Sequence, residues 1–182
     1  DVCSSDLTLA ADMSTVLADQ GRLAEAEAEA RKAVLDGFGH TLEGTYFLLG
    51  LAKILYAQGR YRDAEILTRR AINIYQVKCV PRSSINLALA RQRLAEALAG
   101  QHRWKEALLQ FETIEENVGP VDPETLDRLF STNLDWGLSL VESGRFGEAV
   151  QRLQGALAKL KEQFGASHYR TDRKSTRLNS SH

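Results

Sequence analysis

The sequence predicts an all-α protein, an α-solenoid of about four antiparallel helix pairs. One phrase occurs four times: a turn residue, Arg, a large apolar residue, any residue, an acid and Ala. Its arginines, Arg22, Arg60, Arg103 and Arg145, are 38, 43 and 42 residues apart, a period typical of helical repeats. The chain is also rich in Leu, Ala, Glu and Arg and has only 3 Pro, which favours helices over strands.

Eight helical segments follow from the apolar periodicity and the breaks between segments. They are expected at 8–20, 23–36, 41–58, 61–77, 83–100, 103–117, 123–143 and 146–164. The turns within the four pairs contain, in chain order, Gly21, Gly59, Gly100 together with His102, and Gly144. A residue in the left-handed conformation is expected there to close the first helix. Asp122 and Pro123 are expected to start the seventh helix, as its cap and first-turn residue.

Small residues recur at fixed distances from each turn residue. Seven positions before it stand Ser14, Ala52, Ala95 and Gly137. Five positions after it stand Ala26, Ala64, Ala107 and Ala149. Helices approach to about 8 Å only where side chains are small, so these positions are predicted to be helix contacts. Large residues between them are predicted to fill the remaining core.

This pattern resembles the tetratricopeptide repeat family, whose consensus has small residues at these offsets. The resemblance covers residues 8–171, with repeats at about 8–39, 40–80, 81–122 and 123–164 and the start of a fifth at 167–171. The period near 42 and the long loops between pairs are most similar to the kinesin-light-chain-like type found in many bacterial arrays. The resemblance implies a right-handed superhelix. Repeat three departs from the pattern at His102 and Ile114.

Both ends of the chain are interpreted as foreign to this array. One short DNA duplex, read from opposite strands, encodes residues 1–7 and residues 172–177. It resembles a sequencing-library adapter, whose continuation fits 178–182. Residues 1–7 and 172–182 are therefore expected to be adapter translation, and 8–171 to be a piece of a longer chain. This removes Cys3 as a ligand or disulfide partner and the basic tail as a nucleic-acid arm.

Charge and cysteine content narrow the function classes. The chain has 23 Lys and Arg against 24 Asp and Glu, so its charge gives no reason to expect nucleic acid or a membrane as partner. No apolar run approaches the roughly 18 residues of a membrane helix. With Cys3 excluded, Cys79 stands alone, which excludes an internal disulfide framework and favours a reducing compartment. A cytoplasmic location is expected.

No set of residues indicates catalysis, a metal or a cofactor. The sequence has no Gly-rich phosphate loop, no paired Cys and no His-x-x-x-His ligand set. His40, His102 and His168 fall in three different repeats, and Cys79 has no His nearby in sequence. We therefore expect no enzyme activity, no metal site and no cofactor within these residues.

The family resemblance implies that the first helix of each pair lines a concave groove. Carried over by their offsets from the turn, its most polar and aromatic positions are Tyr46, Lys53, Tyr56, Gln92 and Glu96. Tyrosine offers a large contact area with few rotatable bonds, which suits a peptide groove. The alternative is that Tyr46 and Tyr56 pack between neighbouring repeats. The groove lacks the Lys, Arg and Asn array with which chaperone-binding relatives hold a C-terminal carboxylate.

Two functions from different classes remain open on the sequence. The first is a non-catalytic scaffold that binds a peptide or a partner domain in the groove, with protein rather than nucleic acid or membrane as its partner. The second is a regulatory or sensory array of a larger bacterial enzyme. Its catalytic domain, a CHAT-type protease or a serine/threonine kinase, would then be fused to this array outside these residues.

Overall fold

The computed structural model describes residues 4–36, 41–118 and 133–164, and this part of the chain contains helices and no strand. The helices are α1 (Ser4–Asp19), α2 (Leu23–Asp36), α3 (Leu42–Ala57), α4 (Tyr61–Val77), α5 (Ile85–Gly100), α6 (Trp104–Val118), α7 (Leu134–Glu142) and α8 (Phe146–Phe164). They form four pairs, and the second helix of each pair also packs on the first helix of the next. The predicted all-α solenoid is confirmed.

Several sequence predictions fall on residues outside this description. They are His40, the predicted cap at Asp122 and Pro123, His168, the fifth repeat at 167–171, and the segments 1–3 and 172–182. Of the predicted adapter segment 1–7, residues 4–7 belong to α1, which therefore begins four residues earlier than expected. No helix in the described ranges combines the length and the apolar character that crossing a bilayer requires.

The seventh helix differs from its prediction. A continuous helix over 123–143 is wrong, because Asn133 has extended backbone, with φ −79° and ψ 105°, and α7 begins after it. The Asn133 side chain accepts a hydrogen bond from the Trp136 backbone N–H at 3.2 Å. It thereby satisfies one of the amide donors that a helix start leaves free.

The turns within the pairs close as the sequence predicts, with one correction. Gly21, Gly59 and Gly144 have a φ of +79°, in the left-handed region that glycine adopts without strain. Gly100 is instead the last residue of α5, and His102 takes the left-handed position in repeat three with a φ of 61°. The missing Cβ of Gly100 makes room for Tyr61, since a Cβ there would lie 2.4 Å from the ring Cδ1.

The small residues lie at helix contacts as predicted. The alanines five residues after the turns are all at most 1 % exposed: Ala26, Ala64, Ala107 and Ala149. The residues seven before the turns are also buried: Ser14, Ala52, Ala95 and Gly137. The core widens toward α5, α6 and α7, where the rings of Phe111 and Trp136 stack with centroids 5.0 Å apart. The Arg152 guanidinium lies 3.5 Å from the Trp136 ring centroid, which adds a cation–π contact.

The recurring arginines, which we name the arginine ladder, link successive pairs. Each binds the acid three residues further on: Glu25, Asp63, Glu106 and Glu148. Three of them also reach back to an acid on the second helix of the preceding pair: Arg60 to Glu27, Arg103 to Glu65 and Arg145 to Glu112. Burial alone would raise the pKa of Glu65, but hydrogen bonds from Gln101, Arg69 and Arg103 outweigh it and lower that pKa. The ladder therefore adds polar contacts to the apolar packing between pairs.

Candidate functional site

A groove with a volume of about 600 Å³ crosses the first helices of the first three pairs. Six of its lining residues stand at offsets that the sequence assigns to the concave face: Ala11, Thr15, Tyr46, Leu49, Lys53 and Leu89. The backbone of α3 is open to the groove at Gly50, where a Cβ would meet nothing within 4 Å. The groove lining thus combines apolar side chains with hydroxyl groups and with the charged side chains of Glu43, Lys53 and Arg93, a mixture that is common in protein interfaces.

Tyr46 and Lys53 are the exposed members of this wall. Tyr46 is 58 % exposed, and its ring meets Phe47 edge-on with centroids 5.7 Å apart. Lys53 is exposed two helical turns further along α3 and forms no ion pair with any described residue. The start of α3 is fixed by Thr41, whose hydroxyl accepts a hydrogen bond from the Gly44 N–H at 3.1 Å. Both side chains are therefore presented by a capped helix rather than by a loop.

Glu96 lies at the centre of a buried polar cluster, which we name the junction network. Its Oε1 accepts hydrogen bonds from Gln92 Nε2 and Asn133 Nδ2, both at 2.9 Å. Its Oε2 pairs with Arg93 Nη1 at 2.7 Å. The Glu96 charge raises the pKa of the Arg93 guanidinium above its ordinary value. Three donors compensate this carboxylate for its burial. The network joins α5 to Asn133, the residue that directly precedes α7.

Tyr56 makes a second polar link between the same parts of the fold. Its hydroxyl donates to Asp135 Oδ2 at 2.7 Å, across 79 residues of sequence. Its ring is tilted against that of Tyr61, with centroids 5.4 Å apart. The half-buried Tyr56 therefore connects α3 with α7.

The structure thus separates the five predicted groove residues into two groups. Tyr46 and Lys53 line the groove, with their side chains exposed. Gln92 and Glu96 belong to the junction network, and Tyr56 lies between α3 and α7. The alternative that tyrosines pack between repeats therefore describes Tyr56 but not the exposed Tyr46. A binding role for all five stays a prediction.

Sequence reasoning missed three residues of this region: Arg93, Asn133 and Asp135. Asn133 could have been found from its place before an apolar helical run, since Asn is a favoured helix cap. Arg93 could have been found from its spacing, since it stands three residues before Glu96 on α5 and such pairs lie on one helix face. Asp135 carries no local signal, because its partner Tyr56 lies on α3.

Comparison with known proteins identifies the repeats. Residues 12–77, which run from the middle of α1 to the last residue of α4, match the model of the tetratricopeptide repeat family. Residues 12–77 are tetratricopeptide repeats. No curated protein sequence matches the chain. Tyr46 and Lys53 lie within the matched tetratricopeptide repeats.

The fold is similar to that in the crystal structure of BtubC (BKLC) from P. vanneervenii. The TM-score is 0.61 at 15 % sequence identity, and the match covers 97 % of this chain and 65 % of that chain. The chain therefore spans about two thirds of the length of that protein, and the likeness concerns the fold alone. Membership of residues 78–164 in the tetratricopeptide repeat family stays a prediction, supported by the same pairing of helices.

Tetratricopeptide repeats generally act in protein–protein interaction and are typically non-catalytic. In the part of the chain that the structure describes, no group of three His, Cys, Asp or Glu side chains could hold a metal ion. Cys79 is an exposed free thiol in a turn, with a φ of 53°. The chemistry of the described residues therefore directs attention to the groove as the candidate site.

Proposed function

We propose that this chain is a non-catalytic scaffold that binds an extended segment of a partner protein in the groove across α1, α3 and α5. The observation that carries the proposal is the groove of about 600 Å³, whose wall presents an exposed tyrosine ring and an exposed lysine. The general role of tetratricopeptide repeats in protein interaction supports the same conclusion.

The charges of the groove favour a partner segment of a particular polarity. Glu43 and Lys53 both line it, ten residues apart on α3. At 1.5 Å per residue this separation is about 15 Å along the helix, or roughly five residues of extended chain. The best segment therefore carries an acidic side chain near Lys53, a basic one near Glu43, and apolar side chains between them to fill the groove.

The buried members of the predicted site act through the shape of the groove. The junction network and the Tyr56–Asp135 hydrogen bond hold α3, α5 and the start of α7 together. A groove that is already formed loses less conformational entropy on binding. We therefore assign contact with the segment to Tyr46 and Lys53, and positioning of the helices to Tyr56, Gln92 and Glu96.

Protein is the proposed partner class, rather than nucleic acid or a membrane surface, because acidic and basic residues nearly balance over the chain. The cytoplasm is the proposed compartment, because the exposed Cys79 thiol is compatible with a reducing environment.

A peptide-library selection against the whole chain tests the proposal. The affinity of the selected peptides is then measured by fluorescence anisotropy for Tyr46→Ala and for Gly50→Leu, which places a side chain in the groove. Losses of at least about tenfold are expected for both, as for central contacts of an interface. The matched controls are Ile66→Ala, an exposed apolar residue on α4, and Gly155→Leu on α8. These are expected to bind within about twofold of the unaltered chain.

The charge reversal Lys53→Glu examines the polarity of the segment. It should abolish binding of peptides selected with an acidic residue and favour peptides in which that residue is basic. Failure to select any peptide, or equal losses for the groove variants and their controls, would show that the groove is not the binding site.

A further inference from the structure

A hydrogen bond joins two helix pairs that are not neighbours in the stack. Tyr56 belongs to the second pair and Asp135 to the fourth, and the Tyr56 hydroxyl donates to Asp135 Oδ2 at 2.7 Å. The arginine ladder and the junction network, in contrast, join each pair to the next one. Repeats of a solenoid ordinarily contact only their neighbours, so repetition does not explain a bond that passes over the third pair. We name this bond the clasp.

The clasp crosses α5 near the C-terminal end of that helix. The Tyr56 ring is tilted against the ring of Tyr61, and Tyr61 occupies the space left by the missing Cβ of Gly100. On the other side, Asn133 stands two residues before the acceptor of the clasp and donates to Glu96. Both partners are therefore anchored to α5, in the stretch between Glu96 and Gly100.

The concave face of α5 is covered where the clasp crosses it. Ten, six and three positions before the turn residue, the third pair has Gln92, Glu96 and Ala99, which are at most 8 % exposed. The second pair has Leu49, Lys53 and Tyr56 at the same offsets, and none of these is buried. Arg93 is the last residue of α5 that lines the groove. The groove therefore ends on α5 beside the covered stretch.

Both partners of the clasp stand at offsets that belong to the concave face. Asp135 lies nine positions before its turn residue, and Gly50 and Arg93 at the same offset in the second and third pairs line the groove. Tyr56 stands at one of the offsets that the family resemblance assigns to this face. The clasp thus joins two side chains that would otherwise face a segment lying along the whole concave surface.

We infer that the clasp is a strap that closes the concave surface beyond α5 and opens locally, without unfolding of the pairs that it joins. Its opening uncovers Gln92, Glu96 and Ala99, so that the concave surface continues from the groove across α5 to α7. A hydrogen bond to a carboxylate is strong enough to hold such a surface closed, and local openings of a native fold break bonds of this strength. Use of the uncovered surface by a partner rests on the proposed function, whereas closing and opening need no partner.

A thiol placed beneath the clasp reports its opening. Ala99→Cys is made in a chain that also carries Cys3→Ser and Cys79→Ser, so that the introduced thiol alone can react. Ala99 is 1 % exposed and has the same offset in the third pair as Tyr56 in the second. The reaction of the thiol with an excess of dithionitrobenzoate is followed by absorbance. Its rate is proportional to the population of the open state when closing is fast.

Two thiols buried within other pairs are the matched controls. Ala71→Cys places a thiol on α4 in the second pair, and Ala149→Cys places one on α8 in the fourth. The Ala99→Cys thiol should react at least about tenfold faster than either control, because local opening costs less free energy than unfolding of a pair. Its rate should also change less with urea, since local opening exposes less surface. Equal rates, or an equal dependence on urea, would contradict local opening.

Tyr56→Phe tests the bond itself, because it removes the hydroxyl and keeps the ring against Tyr61. It should raise the reaction rate of Ala99→Cys by about tenfold, as expected for the loss of a hydrogen bond to a charged group. The control thiols should stay within about twofold, whereas a general loss of stability would accelerate all three. Tyr61→Phe is the matched control, since the Tyr61 hydroxyl has no hydrogen bond to any described residue.

Asp135→Ala removes the acceptor and should raise the same rate. Combined with Tyr56→Phe, it should add little further increase, because both changes remove one bond. Equal rates for Tyr56→Phe and Tyr61→Phe, a parallel increase of the control thiols, or fully additive effects of the two clasp substitutions would overturn the inference. The rates are measured without a partner, so a failure to select a groove-binding peptide is distinguishable from a failure of the clasp.

Discussion

Gly137→Ala tests the close approach of α7 and α8 on which the packing of the fourth pair depends. Gly137 is buried and is the small residue seven positions before its turn. A Cβ at this position would lie 2.3 Å from Leu153 Cδ2 and 2.5 Å from its Cγ. These distances are far below van der Waals contact, so either Leu153 or one of the two helices has to move.

Two effects of opposite sign determine the result. Replacing Gly by Ala inside a helix stabilises it by about 0.8–1 kcal/mol. Overpacking a well-packed core typically costs about 1–3 kcal/mol. The expected net loss is therefore between about 0 and 2 kcal/mol, which lowers the Tm by up to roughly 8 °C at about 2–4 °C per kcal/mol.

Gly155→Ala is the matched control, because Gly155 also lies inside a helix but a Cβ there would meet nothing within 4 Å. It should gain the helix propensity alone, up to about 1 kcal/mol, and raise the Tm by about 2–4 °C. Thermal unfolding followed by circular dichroism measures both variants. A rise in Tm for Gly137→Ala as large as that for Gly155→Ala would refute the contact between α7 and α8.

Two further predictions concern acids that stabilise the fold. Burial raises the pKa of Glu27, but hydrogen bonds from Gln58, Arg31 and Arg60 outweigh it and lower the pKa from 4.5 to about 2. The contribution of Glu27 to stability is therefore present above pH 4.5 and lost as the pH falls toward 2. The free energy of unfolding of Glu27→Gln, measured in urea, should consequently depend less on pH in this window than that of the unaltered chain. An unchanged pH dependence would contradict the role of Glu27. Glu96→Ala should cost about 1–3 kcal/mol in urea unfolding, because it leaves Arg93 and Asn133 without their acceptor. A smaller loss than for Glu96→Gln would be evidence against the junction network.

Much of the fold could be predicted from the sequence because its repeats carry local signals. The turn glycines, the alanines five residues later and the apolar periodicity act over less than one repeat, so four copies reinforce one another. The family resemblance, carried over by offsets from these turns, led to Tyr46 and Lys53, which line the groove in the structure. Repeat three shows the limit of this reasoning, since Gly100 and His102 lie two residues apart and only the backbone shows which one adopts the left-handed conformation.

The rest could not be predicted because it depends on contacts between distant residues. Tyr56 and Asp135 are 79 residues apart, and Glu96 and Asn133 are 37 apart. The ladder is only partly visible in the sequence for a related reason. The acid that meets the next arginine moves by one helical turn between α4 and α6, from Glu65 to Glu112, so no fixed spacing identifies it.

Chemical-shift mapping by NMR tests the central claim, that the groove across the first helices binds a partner segment. The whole chain of 20.2 kDa is small enough for its amide signals to be followed as a selected peptide is added. The claim predicts the largest shifts in α3 around Tyr46, Gly50 and Lys53, with smaller ones in α1 and α5. Shifts concentrated on α4 and α6, with α3 unchanged, would contradict it.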